Sequence, residues 1–135
     1  MLSNWLVELG ATVTPLQAEQ KLKYHTGHVF ASNYLVALVD VALAQFEQVG
    51  IDRTTGLSFV GPLLEATVAN ITSLGVEAAL TGPIARGDAE LVQKQARQIS
   101  GSDYELYTAL GLVAVNIAVR AVSYTHLTLP TNREV

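Results

Sequence analysis

Apolar residues recur at helical spacing from about Leu16 to Val49, and the stretch Leu35 to Leu43 is apolar nearly all round. The same density returns near the other end, in "LGLVAVNIAVRAV" from Leu110 to Val122. The first pattern predicts one long helix. It opens at or a few residues after Thr14-Pro15-Leu16-Gln17, which has the form of a capping box with proline at the first helical position. Gly50 supplies its stop. Such a helix would have up to about 35 residues and span about 52 Å. Asp52 predicts the N-cap of a second helix that runs to Leu74, kinks at Gly61-Pro62 and ends at Gly75. A short helical piece, Val76 to Leu80, leads into a turn at "TGPIARGD", after which Asp88 caps a helix from Ala89 to Ile99. Ser102-Asp103-Tyr104-Glu105 is a second capping box, opening a last helix that reaches Ala121. No internal repeat is visible. The fold expected is all-α, a helical bundle around one long central helix.

The two ends depart from this pattern. "NWLVELGATVTPL" reads as the end of a helix, a glycine C-cap at Gly10 and a β-prone piece from Ala11 to Thr14. A lone helix end and a lone strand have nothing of their own to pair with, so residues 1–14 read as the remnant of a domain lying upstream. The string "VSYTHLTLPTNREV" is Thr-rich and without period, and residues 122–131 resemble the conceptual translation of a transposase-type sequencing adapter. Residues 122–135 are therefore expected to be a non-native scar, the alternative being a natural tail, and His126 is left out of site reasoning. Residues 15–121 form the expected domain.

Composition narrows the classes. A chain of 135 residues, half of them apolar, suits one domain with one core. It has no cysteine, which removes disulfide and thiolate chemistry and makes the cytoplasm the expected location. A net charge of -4, with eight scattered Lys and Arg residues, offers no basic stripe for nucleic acid. The run from Tyr34 to Phe46 is interrupted by Asp40 and falls short of the roughly 20 residues a bilayer requires, so no membrane partner is expected. Two helices as apolar as residues 35–43 and 110–122 call for more cover than so small a chain provides, and a homodimer would supply it.

The segment "KLKYHTGHVFASN", Lys21 to Asn33, places polar chemistry on the long helix. At 100° per residue, Lys21, His25, His28 and Ser32 fall within an arc of about 60°, flanked by Asn33 and Asp40. One reading is a solvated face. Another is a catalytic or substrate-binding stripe, in which lysine and histidine supply acid/base groups. A third is a metal pair, His25-x-x-His28, but no third ligand stands at suitable spacing and no metal is expected. Ser32 as a nucleophile beside His28 lacks an oxyanion hole in mid-helix. No two of the ten glycines are spaced G-x-G, so the dinucleotide fingerprint is absent from this chain.

Lys21-x-x-Tyr24-His25, then Ser32-Asn33, then "ALTGPIARGD" from Ala79 to Asp88 together resemble a known family. They are similar to the C-terminal helical domain called domain of unknown function 2520, which follows a Rossmann-like NADP-binding domain in a group of bacterial oxidoreductases without an assigned substrate. The likeness covers most of residues 16–121. It implies an architecture akin to the C-terminal domain of 6-phosphogluconate dehydrogenase, with the long helix facing the nicotinamide and the domain forming a homodimer. Under that resemblance NADP is held by the missing N-terminal domain and no cofactor by the chain itself. Lys21 or His25 would donate the proton that accompanies hydride delivery, a step worth about 10² to 10⁴-fold. His28, Ser32 and Asn33 would contact a small-molecule substrate, and Arg86 would pair across the dimer or reach a cofactor phosphate. Gly82, Gly87 and Asp88 have a purely structural reading as turn and cap, and Gln95 stands where the family pattern has a histidine. The alternative to an oxidoreductase part, inactive alone, is a stand-alone helical dimerisation or ligand-binding module.

Overall fold

The computed structural model describes residues 2–128, with side chains from 4 to 123. Among the described residues every regular element is helical and no strand occurs, so the fold is all-α as the pattern predicts. The chain divides into two compact units, residues 1–49 and residues from Gly50 onward.

The first unit opens with α1, Leu2–Glu8. Gly10, at φ +82°, ends it by donating to the Val7 carbonyl, while Ala11 donates to that of Leu6, and this pair of bonds is a Schellman motif. Residues 11–17 have no regular structure, so the β-prone piece at Ala11 to Thr14 is not a strand. A single 3-10 turn, Ala18–Gln20, then leads into α2, Lys21–Ala31, and α3, Asn33–Glu47. The start is fixed by Gln20, whose side-chain oxygen accepts from the Gln17 backbone N–H at 2.9 Å, three residues later than the proline-based box.

The long helix predicted to Val49 is therefore two helices, divided at Ser32, whose backbone sits at φ -123° and ψ -66°. The cause is local. The Ser32 hydroxyl bonds back to the His28 carbonyl at 3.0 Å and also reaches Asn33 Oδ1 at 2.8 Å. Such a bond often bends a helix, although the same bond at Thr26, Thr67 and Ser73 leaves its helix continuous. α2 and α3 pack on each other.

The second unit follows the sequence signals more closely. Asp52 caps α4, Arg53–Leu74, through its side chain to the Thr55 N–H at 3.0 Å. Pro62 lies inside α4, and Gly75 terminates it. α5 is Val76–Ala79, and the Gly/Pro turn contains one further turn of helix, α6, Gly82–Ala85. α7, Ala89–Ala96, ends three residues before the predicted Ile99 because its last N–H groups tighten to i−3 partners, Gln98 to Gln95 and Ile99 to Ala96. α8 runs from Gly101 to Thr128. Its start lies ahead of the Ser102 capping box, so Ser102 to Glu105 occupy the first turn. It also continues past Ala121 into the Thr-rich string, whose first sequence breaker is Pro130. Residues 129–135, the rest of the supposed scar, lie outside the described residues. Within this unit α5, α6 and α7 each pack on α8.

Little of this surface is closed. Leu43 and Val60, each 6% exposed, are the buried large apolar side chains among the described residues. Leu22, Phe30, Val36, Leu63 and Leu112 are each 64% exposed or more. By length and composition three helical stretches, Ala18–Glu47, Arg53–Leu74 and Gly101–Ser123, are sufficient to cross a membrane. That corrects the expectation, drawn from Tyr34 to Phe46 alone, that no stretch is long enough: the helical run extends well beyond that segment.

Candidate functional site

The residues singled out in the opening stretch lie on α2 and at its junction with α3, all of them exposed. Lys21 opens α2, and His25 follows one turn later. One open hollow of about 380 Å³ on α2 is lined by Lys23, Tyr24, Gly27, His28 and Ala31. A second, of about 420 Å³, is lined by Leu16, Glu19, Gln20, Lys23 and Tyr24. Lys21 and His25 line neither.

His28 is held by its own helix. Its Nδ1 lies 3.0 Å from the Tyr24 carbonyl, and its ring meets that of Tyr24 at 4.4 Å between centroids, tilted by 52°. Ser32 bonds to the His28 backbone carbonyl and to Asn33, so Ser32 and Asn33 hold one another at the break between the helices. This pair terminates α2 and starts α3. Ser32 precedes α3 without a side-chain bond to the first N–H groups of that helix, so it is not an ordinary cap. Lys23, Tyr24 and Gly27, which line a hollow with His28, are not among the residues that angular spacing singles out. The available clue was the i, i+4 pairing of Tyr24 with His28 beside a mid-helix glycine.

No group of three or more His, Cys, Asp or Glu side chains is placed to hold a metal ion among the described residues. His28 in addition commits one ring nitrogen to the Tyr24 carbonyl.

The "TGPIARGD" turn is built for structure. Gly87, at φ +70°, donates to the Ile84 carbonyl, and Asp88 N–H donates to that of Pro83 at 2.8 Å, closing α6 with a second Schellman motif. A Cβ at Gly87 would be strained by this φ, although the space around it is open. The Asp88 carboxylate then accepts from the Leu91 N–H at 3.0 Å and caps α7. Arg86 is the C-cap residue of α6 and is exposed. An exposed guanidinium on a helix-ending turn, without a glycine-rich strand-to-helix turn, does not make a dinucleotide cradle. The residues present here do not fit NADP by themselves.

Beside that turn lies an apolar groove of about 400 Å³, with Ile84, Val92, Ala96, Tyr107, Leu112 and Val115 among its walls. Gln95 accepts from the Tyr107 hydroxyl at 3.1 Å and ties α7 to α8. Further along α8, Arg120 Nε donates to Glu77 Oε1 at 3.0 Å. The Arg120 hydrogen bond holds the Glu77 carboxyl below its usual range. The Thr55 hydroxyl, 2.6 Å from Asp52 Oδ2, and the Thr55 N–H do the same for Asp52. Both shifts stabilise the helix ends or contacts in which they occur and do not mark acid/base groups.

Neither a curated protein nor a solved structure matches the chain. A family model does, over residues 1–114, and its span takes in the α2 strip, the Ser32-Asn33 junction and the "TGPIARGD" turn together. The chain belongs to the family described as domain of unknown function (DUF2520).

Proposed function

We propose that this chain is the helical substrate-binding and dimerisation part of an NAD(P)-dependent oxidoreductase of the cytoplasm, inactive alone, whose nucleotide is held by a separate Rossmann-like domain. The observation that carries the reading is exposure of apolar surface in both units. Side chains as large as Phe30 and Leu112, 65% and 64% exposed, are not left in water without cost, because each Leu or Phe fully buried contributes about 1.5 to 3 kcal/mol. Patches of this kind mark interfaces. A second copy of the chain would cover them, completing a bundle about α2 and α3, and the polar strip of α2 would face a small-molecule substrate. Within it Lys21 and His25 are the proposed proton donors, with His28, Ser32 and Asn33 as substrate contacts. Arg86 is the proposed contact to a cofactor phosphate or across the dimer.

A specific observation favours a second reading, since three helical stretches are long and apolar enough to cross a bilayer. Asp40 lies within the apolar part of the first and Glu65 near the middle of the second. A charge at the bilayer centre costs about 2.5 to 3.5 kcal/mol on insertion scales. A protein partner therefore accounts for the apolar helices better than lipid does.

The test is the full gene. Joined to the coding region upstream at its genomic locus, the protein should consume NADPH, and Lys21→Ala or His25→Ala should lower turnover by about 10² to 10⁴-fold with NADPH affinity nearly intact. A locus without a nucleotide-binding domain, or turnover unchanged from wild type in both variants, overturns the reading in favour of a stand-alone binding module.

A further inference from the structure

Among the described residues no other helix packs broadly on α1, although its sequence asks for a partner. Leu9, whose N–H still donates to the Trp5 carbonyl, stands three residues after Leu6 and four after Trp5, so these apolar side chains share one face. Trp5 is 60% exposed and Leu9 68%. Helices shorter than about 12 to 15 residues are marginal in water by themselves, and α1 has seven. A helix so short, with its apolar face open, needs cover. Residues 11–17, exposed and without regular structure, are its tether. The second unit offers a matching surface. Its groove of about 400 Å³ is lined by residues of α6, α7 and α8, and Gly111, which contributes no side chain, lies there with Ile84, Val92 and Leu112. Cavities of about 300 to 1,000 Å³ bury most of a drug-sized molecule, and an indole with a leucine beside it is no larger. The indole N–H of Trp5 needs an acceptor when buried, and Gln93 and Thr108 in the groove wall carry side-chain oxygens. Charge agrees as well. Glu8 is the charged side chain of α1, whereas Arg86 and Arg97 adjoin the groove residues Gly87 and Ala96 in sequence. The carboxylates nearby are engaged, Asp88 by the Leu91 N–H and Glu90 by Lys94.

We infer that α1 is an exchange arm, which docks Trp5, Leu6 and Leu9 in the α6–α8 groove of a second copy of the chain. Within one chain the arm face and the groove are both open, which leaves another copy's arm as the occupant. Each chain has one arm and one groove, so reciprocal exchange about a two-fold axis closes both. An apolar helix face laid in an apolar groove, with anchors three and four residues apart, is a recurring mode of recognition. The inference rests on the dimerisation part of the reading above, for which it names the contact, and is independent of the nucleotide.

Trp5 is the single tryptophan of the chain, so its fluorescence reports on the arm alone. The experiment is a dilution series of the full chain, followed by tryptophan emission and by sedimentation velocity. Emission should be blue-shifted where the dimer sediments and move to the red as the dimer dissociates, with one midpoint for both signals. Leu9→Glu on the arm should weaken the dimer by about tenfold or more, since exchange counts the loss twice. Gly111→Leu should fill the groove and do the same. Open space surrounds Gly111 in mid-helix, so that variant keeps its helix, as circular dichroism would verify. Mixing separates exchange from any other contact. A large excess of the chain carrying Trp5→Ala and Leu9→Glu, which keeps its groove, should shift the emission of the Gly111→Leu chain, which keeps its arm, saturably to the blue. A blue-shifted Trp5 in a monomer at every dilution would place the arm in its own chain and overturn the proposal. So would an absent shift on mixing. A dimer whose Trp5 emits as an exposed indole would overturn this contact and leave the dimerisation reading standing, whereas a monomer throughout with exposed Trp5 would sink both.

Discussion

The helix that carries the candidate chemistry and the helices of the second unit are held in different ways. On α2 the side-chain hydrogen bonds reach no further than one turn: Thr26 to the Leu22 carbonyl, His28 to that of Tyr24, and Ser32 to that of His28. In the second unit the ties cross between elements, with Tyr107 bonded to Gln95 twelve residues away and Arg120 to Glu77 forty-three residues away. Local bonds shape a helix and aim its side chains, but they do not hold it against anything. Cross-element bonds fix one helix against another. The contrast teaches that the second unit carries tertiary structure of its own, whereas α2 presents a shaped but uncovered surface.

The largest effect should appear in assembly. The isolated chain should sediment as a dimer or larger species without detergent, because exposed apolar side chains occur in both units. Leu22→Glu with Phe30→Glu on α2, compared with Leu112→Glu with Val119→Glu on α8, would show which face makes the contact, by which pair yields monomer. A monodisperse wild-type monomer that unfolds cooperatively would break the comparison, since neither face would then need cover.

Next in size are Leu43 and Val60, the buried large apolar side chains among the described residues. Leu43→Ala in the first unit should cost about 2 to 5 kcal/mol and Val60→Ala in the second about 1.5 kcal/mol, measured by urea unfolding. Equal losses would mean that the two positions are equally able to relax around a cavity. Asp88→Ala should follow, at about 1 kcal/mol for the lost cap of α7, with Asp88→Asn retaining most of it.

These magnitudes track how far each feature was legible in the sequence. Caps and stops are written in a few adjacent residues, so Asp52, Asp88, Gly10 and Gly75 all fall where the pattern places them. The break at Ser32 was not legible from periodicity, because its neighbours keep the helical spacing on both sides. The candidate strip and the hollow on α2 overlap only at His28. Angular spacing groups His28 with Lys21, His25 and Ser32, but it counts side chains that are present, whereas the hollow is made by one that is missing, at Gly27. It therefore overlooked Lys23 and Tyr24. The tie between Glu77 and Arg120 has no sequence signal, since a pair that far apart meets only through the packing of α5 on α8.

The smallest effect belongs to that pair, and pH isolates it. The Arg120 hydrogen bond lowers the folded-state pKa of Glu77 below its unfolded value, so the folded protein holds this carboxylate in its ionised form more readily than the unfolded chain does. The contribution to stability is complete above the ordinary carboxylate range and is lost as pH falls through it. Both side chains are substantially exposed, at 54% and 39%, so the effect is small and weakened further by salt. Thermal melts of wild type and Glu77→Gln should differ at neutral pH and converge in acid. Asp52 adds a slope of the same sign through its bonds to Thr55, and this slope is common to both proteins. A gap that persists unchanged in acid would mean that the loss in Glu77→Gln does not come from the ionised carboxylate, and the ion pair would then not be what ties α5 to α8.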